Sequence, residues 1–283
     1  MILPRRRLLI GCGALAAAGL APRDAGAQAA GDLVLTGRFV QGGHALGRTW
    51  PRALIFIDGE SLTTASADGV FIVGFDRDAP SSVQIEARTD GRTAMRTLPI
   101  APGRFSQTRI DGLPPSTVEP DDPALLARIR QEVVLKAEGF ASRLDADHFR
   151  DGFDWPLETF RISSRWGSQR VLNGTPARPH YGIDLAAPQG ALIRAPAAGR
   201  VTLAQPGLHF EGGLVLIDHG QGLISAYLHQ SRLDVRAGQT VMRGDLIGRV
   251  GMTGRATGPH LCWRLKWRDR NLDPSLLVET AQR

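Results

Sequence analysis

From Trp155 onward, glycines cut the apolar residues of this chain into short runs, and that punctuation leaves little room for long helices. Leu192–Ala195, Gly199–Ala204, Gly213–Asp218, Leu223–Tyr227 and Asp245–Val250 all have strand length and end in turn residues. Residues from about Leu33 to Ile100 read as strands too. Val83, Ile85 and Ala87 alternate with Ser82, Gln84 and Glu86, which gives one buried and one wet face. Leu33–Val40, Ala53–Ile57, Val70–Phe75 and Ala94–Ile100 are further strand candidates, separated by Asp58-Gly59, Asp68-Gly69 and Asp90-Gly91 turns. The expected fold class is mainly β, opening with an antiparallel β-sandwich-like domain of about seven strands or fewer.

Pro114-Pro115 and Pro120-Asp121-Asp122-Pro123 mark a linker between the two β-rich regions. A helix should follow, with Asp122 as N-cap and Pro123 at its first position. Leu126, Ile129, Val133, Ala137 and Phe140 form one apolar stripe that predicts packing on a domain. The expected organisation is a signal peptide over 1–29, an N-terminal β domain over 30–113, a linker with one amphipathic helix over 114–153, and a C-terminal β-rich domain over 154–283.

The N-terminus predicts export. Arg5-Arg6-Arg7, an apolar run from Leu8 to Ala18 and small residues at Ala25-Gly26-Ala27 or Ala27-Gln28-Ala29 make a processed leader, and Arg5-Arg6 resembles a twin-arginine signal. Removing residues 1–27 takes away four arginines and Asp24, so the formal charge falls from +6 to +3. It also removes Cys12 and leaves Cys262 as the lone cysteine, which excludes an intramolecular disulfide. No later stretch reaches transmembrane length, so no stable span is expected in the mature chain. All but two of the cations, Lys136 and Lys266, are arginines, a balance that suits anionic polymers. No basic block or aromatic RNA-binding signature accompanies it, so nucleic acid is not an expected partner.

The chemistry gathers between His180 and Cys262. His180-Tyr181-Gly182-Ile183-Asp184 and His260-Leu261-Cys262 place donor side chains two or four residues apart, the spacing of one strand face. His229 follows Tyr227-Leu228 on a third strand candidate. Imidazoles, a carboxylate and a thiolate drawn together are what a Zn2+ site with acid/base groups requires. His219 reads as a turn residue bonded to backbone, His209 as a loop residue, and His44 as a solvated loop residue. Arg165 and Trp166 suit either a groove lining or packing, while Leu261 and Trp263 should face the core. Val235 to Gly244 resembles a lipoyl- or biotin-carrier hairpin, but residues 151–265 contain no lysine to hold the cofactor.

An ordered set of short pieces makes the stretch from about Phe160 to Pro274 resemble the lysostaphin-type (LytM-like) peptidoglycan metalloendopeptidases. The pieces are Ser163-Ser164-Arg165-Trp166-Gly167, His180-Tyr181-Gly182-Ile183-Asp184, Ala195-Pro196-Ala197-Ala198-Gly199, Val215-Leu216-Ile217-Asp218-His219-Gly220, Tyr227-Leu228-His229, Gly238 to Gly244 and Thr257-Gly258-Pro259-His260-Leu261-Cys262. The resemblance implies a lysostaphin-type C-terminal fold and one Zn2+ ion, with His180 and Asp184 as ligands and His229 and His260 as catalytic histidines. The family closes on H-x-H, whereas this chain has Cys262 at the third ligand position. A thiolate ligates zinc well, but a site with Asp184 and Cys262 has formal charge zero rather than +1 and acidifies water less. The implied activity is zinc-dependent hydrolysis of peptidoglycan cross-links, acting on peptide stems in the periplasm or cell envelope. The N-terminal domain is then available for an envelope protein partner. The alternative is a non-hydrolytic wall-binding module or an activator of another cell-wall hydrolase.

Overall fold

The computed structural model describes residues 32–113, 118 and 120–281, and the expected leader over 1–29 lies outside them. The first β region carries β1 (Val34–Arg38), β2 (His44–Arg48), β3 (Leu54–Ile57), β4 (Glu60–Thr64), β5 (Val70–Gly74), β6 (Ser82–Thr89) and β7 (Arg92–Pro99). They form two antiparallel sheets, ordered β1-β2-β5 and β4-β3-β6-β7. The alternation along β6 holds, since Val83, Ile85 and Ala87 are all buried. At the β3–β4 hairpin, Asp58 and Gly59 both adopt positive φ, which a tight turn between right-twisted strands demands. His44 departs from its expected solvation. It opens β2 with 1% exposure, and burial followed by the Arg38 charge lowers its pKa to about 4.

β8 (Gln107–Ile110) leaves this region and pairs, parallel, with β10 of the second region. α1 (Pro123–Phe140) follows, with Asp122 Oδ1 accepting from Leu125 N at 2.7 Å and Pro123 in the first turn, as expected. Its packed face keeps Phe140 of the expected stripe but is rotated from the rest. Val133 is 53% exposed, whereas Glu132 and Gly139 are buried. Polar anchors set the rotation: Glu132 Oε2 accepts from His209 N at 2.9 Å, and Lys136 Nζ reaches Glu211 Oε1 at 2.6 Å. Gly139 then lets the helix close on the sheet, where a Cβ would stand 2.8 Å from Leu216 Cδ1.

The second region holds β9 (Arg161–Ser164), β10 (Gln169–Leu172), β11 (Thr175–Pro176), β12 (Ile183–Ala186), β13 (Leu192–Arg194), β14 (Gly199–Leu208) and β15 (Gly212–Asp218). It continues with β16 (Leu223–Gln230), β17 (Arg232–Leu233), β18 (Thr240–Val241), β19 (Leu246–Arg249), β20 (His260–Trp267) and β21 (Arg270–Leu272), and ends in α2 (Ser275–Ala281). The large sheet runs β18-β14-β15-β16-β20-β12-β9, with β21 also pairing β20. Its inner face buries Leu185, Tyr227, Trp263, Leu265 and Trp267 in a core continuous with that of the first region. Gly74 and Leu272 touch across the junction, and the Gln221 side chain donates to Val70 O at 3.0 Å. The outer face carries Leu203, Leu216, Leu228 and Cys262, with Leu135 and Phe140 of α1 packed against them. Among the described residues, no helix is long and apolar enough to cross a membrane.

Candidate metal centre

β12 and β20 are antiparallel, and Asp184 lies directly opposite Cys262, so the two side chains leave the outer face as a cross-strand pair. His260 precedes Cys262 by two residues and shares that face. His180 arrives differently from expectation. β12 begins only at Ile183, and His180 lies in the segment before it. Its N–H donates to Ser168 O at 2.8 Å and its carbonyl accepts from Gly167 N at 2.7 Å, which ties it to the approach to β10.

Ser164 Oγ on β9 lies 3.2 Å from His180 Nδ1 and turns Nε2 toward the other donors. Nε2 is 3.3 Å from Cys262 Sγ and 3.1 Å from Asp184 Oδ1. Gly182 permits this approach, because a Cβ there would stand 2.8 Å from Cys262 Sγ and 3.2 Å from His180 Nε2. Arg170 Nη2 donates to Asp184 Oδ2 at 3.0 Å, while Oδ1 is buried with no hydrogen bond. A buried carboxylate oxygen left so is rare without a ligand to meet it. Donors about 2.0–2.3 Å from a tetrahedral Zn2+ stand roughly 3.3–3.7 Å apart, close to the spacing here, and an N, O and S set is one that zinc takes. The residues fit that ion.

Burial disfavours the Asp184 carboxylate, but the His180 ring 3.1 Å from Oδ1, then the charges of Arg170 and His260, hold its pKa far below the usual range. Burial also opposes protonation of His180, yet the Cys262 and Asp184 charges prevail and raise its pKa.

His229 and His260 face one another with ring centroids 4.7 Å apart. His229 Nδ1 donates to Thr253 O and His260 Nδ1 to Gly258 O, each at 2.8 Å. Carbonyls only accept, so both rings carry their proton on Nδ1 and present an Nε2 lone pair. Burial is the main cause lowering both pKa values, that of His229 to about 4. The backbone must bend to place His229. Leu228 pairs with Cys262 on the outer face, so strict alternation would send His229 inward with Tyr227. Instead His229 stands at φ 65°, a left-handed conformation costing about 1–2 kcal/mol for a residue with a Cβ, and so reaches the groove.

These groups line a groove of about 750 Å³, which Ile110, Leu113 and Val118 and Phe140 of α1 also line. Among its charged residues that sequence reasoning missed are Arg170, Glu211, Arg255 and Arg264. Arg264 was within reach, since it lies two residues after Cys262 on the same strand face. There burial opposes its charge, but Cys262 followed by Glu211 and Asp184 raises its pKa. The other three carry no motif. His219 is a buried residue bonded to Ala198 O at 2.7 Å, as expected, and His209 sits half-buried at the β14–β15 turn. Trp166 packs against Phe105 and Tyr181, Arg165 is exposed, and Leu261 and Trp263 are core residues.

A buried N, O and S donor set beside two neutral imidazoles in an open groove defines a metal-dependent hydrolase type of centre. Residues 178–274 match the model described as Peptidase family M23, and this chain carries an M23 (LytM/lysostaphin-type) domain. It is 38% identical over 118 residues to the peptidoglycan DD-endopeptidase ShyA of Vibrio cholerae, covering 41% of this chain and 27% of that one. It is 39% identical over 120 residues to the DD-carboxypeptidase/endopeptidase Mpg of Neisseria meningitidis, covering 42% and 27%. The matches thus span about a quarter of the length of these curated relatives. A crystal structure of an M23 peptidase candidate from Pseudomonas aeruginosa superposes with TM-score 0.66 at 29% identity, covering 85% of this chain and 95% of that one.

Proposed function

We propose that this protein is a zinc-dependent endopeptidase that hydrolyses peptide cross-links of peptidoglycan in the cell envelope, after export by its N-terminal leader. The observation that carries the reading is the outer face of β12 and β20. His180 Nε2 there stands 3.3 Å from Cys262 Sγ and 3.1 Å from the unbonded Asp184 Oδ1, beside two imidazoles held as proton acceptors. His180, Asp184 and Cys262 are the residues that would hold Zn2+, and Arg170 fixes the carboxylate so that Oδ1 is the oxygen offered. The ion when bound supplies Lewis-acid polarisation of an amide carbonyl and makes water a nucleophile near neutral pH.

The remaining work falls to the chain. His260 Nε2 lies 3.8 Å from Asp184 Oδ1, so the carboxylate favours an imidazolium there, and His260 is assigned as the group that takes the proton from water. The same nitrogen then gives it to the departing amine. His229, deeper and locked by Thr253, borders the reacting carbonyl and orients it. Replacing His260 by Ala should lower hydrolysis of a cross-linked muropeptide by about 10²–10⁴-fold while zinc content stays near one per chain. Equal loss of zinc would overturn the assignment.

Cys262 favours a second reading, a wall-binding module or activator that does not cut, because a thiolate leaves the centre formally neutral. Anaerobic protein with zinc near zero and no cleavage of purified sacculi, in wild type and Cys262→Ser alike but with cleavage gained in Cys262→His, would select it.

A further inference from the structure

Charge in the groove is one-sided. Its lining carries Arg170, Arg178, Arg255, Arg264 and Lys266 against two carboxylates, Asp184 and Glu211. Both acids are engaged, Asp184 with Arg170 at 3.0 Å and Glu211 with Lys136 at 2.6 Å. A bound Zn2+ would match the charges of Asp184 and a Cys262 thiolate, so the cationic excess of the walls persists with the metal in place.

The cations are placed rather than scattered. Cys262, Arg264 and Lys266 alternate along β20, so their side chains emerge from one face about 7 Å apart. Arg255 comes from the loop between β19 and β20. Its backbone N–H donates to Phe210 O at 2.9 Å, and its guanidinium lies over the Phe210 ring, 4.7 Å from the centroid. Burial lowers the Arg255 pKa, and the nearby Arg170 and Arg264 charges lower it further. Guanidiniums gathered in a half-buried wall repel one another and lower that repulsion by receiving an anion. Arg264 adds a second sign: its Nε is buried with no hydrogen-bond partner. An extended peptide repeats same-side groups at about the spacing of β20. With its reacting carbonyl at the Cys262 end, the next substituent meets Arg264 and Arg255.

We infer that Arg255 and Arg264 form a carboxylate-reading subsite beside the reacting bond. The preferred substrate is then an acidic cross-linked peptide, with a free carboxylate on the residue that supplies the scissile nitrogen, rather than a neutral glycine bridge. The inference rests on the peptidase reading for where the bond is cut, but recognition itself is readable by binding alone.

The test uses the zinc-loaded mature chain and two synthetic cross-linked peptides that differ only in a carboxylate or a carboxamide at that residue. Calorimetry measures binding to His260→Ala, and mass spectrometry measures cleavage by wild type. The acid should bind and be cut about tenfold better or more, with the preference shrinking as salt rises. Arg255→Gln should bring the ratio close to one and Arg255→Lys should restore part of it, with zinc content measured in each. Tighter binding of the acid without cleavage supports the subsite while removing the peptidase reading. Equal binding of the two peptides by the parent protein overturns the subsite, even if both are cut.

Discussion

Against the inner face of the large sheet, His219 bonds through both ring nitrogens. Nδ1 meets Ala198 O and Nε2 meets Ser225 Oγ, each at 2.7 Å, and Ser225 continues to Tyr227 Oη at 2.8 Å. On the outer face, drawn from β16, β20 and β12, His229 and His260 bond only through Nδ1, and Asp184 Oδ1 meets only the ring of His180, another of the candidate ligands, at 3.1 Å. Both sets are buried or nearly so, so depth does not separate structure from chemistry here. Completion of hydrogen bonding does. His219 serves packing because both its ring nitrogens are taken, and the outer histidines can act because their acceptors are spare.

The contrast is broken most directly at Cys262. Cys262→Ala should abolish zinc retention and reduce cleavage to background. Its melting temperature should nevertheless match that of chelator-treated wild type; a large drop beyond that would make the outer face structural after all. Next in size, Arg170→Gln should weaken zinc affinity about 10–100-fold by loosening the carboxylate, as read by competition with a chromogenic chelator. His219→Ala should do the reverse, costing about 2–4 kcal/mol in a urea titration by leaving a cavity and taking one of the two partners of Ser225, with zinc stoichiometry unchanged. Loss of zinc there would erase the distinction.

Acid should sharpen it. Burial lowers the pKa of His219 and of His44 to about 4, against 6.5 when unfolded. The unfolded chain binds more protons between those values, so stability is full above about pH 6.5 and declines as pH falls toward 4. Urea midpoints across that window should show the slope, and His219→Gln should reduce it while His44 and His229 carry the rest. At the small end, Arg52→Ala breaks an exposed pair with Asp145 at 2.8 Å and should change stability by about 0.5 kcal/mol or less in the same titration.

What could be read in advance divides along the same physical line. Period-two patterns and turn dipeptides announced β6 and the β3–β4 hairpin, and H-x-C spacing put His260 and Cys262 on one strand face, because those features are local. Tertiary contacts decided the rest. His180 looked like part of a strand, yet its backbone bonds to Gly167 and Ser168 instead. α1 rotated partly off its apolar stripe, exposing Val133 and Ala137 while Phe140 still packs, because Glu132 and Lys136 found partners on the β14–β15 hairpin. His44 looked like a loop residue because its glycine neighbours masked a strand start. No periodicity encodes the φ of His229, and Arg170 and Arg255 reach the groove from segments whose own sequence says nothing of it.

The parallel ladder between β8 and β10 has a practical reach. Gln107–Ile110 aligns with Gln169–Leu172, residue for residue, and Arg170 sits inside that alignment opposite Thr108. Trimming the gene to the catalytic half would cut away the strand that splints Arg170, and a recombinant fragment could then hold its metal loosely. Weak activity in such a fragment would say less about the thiolate than about the missing splint.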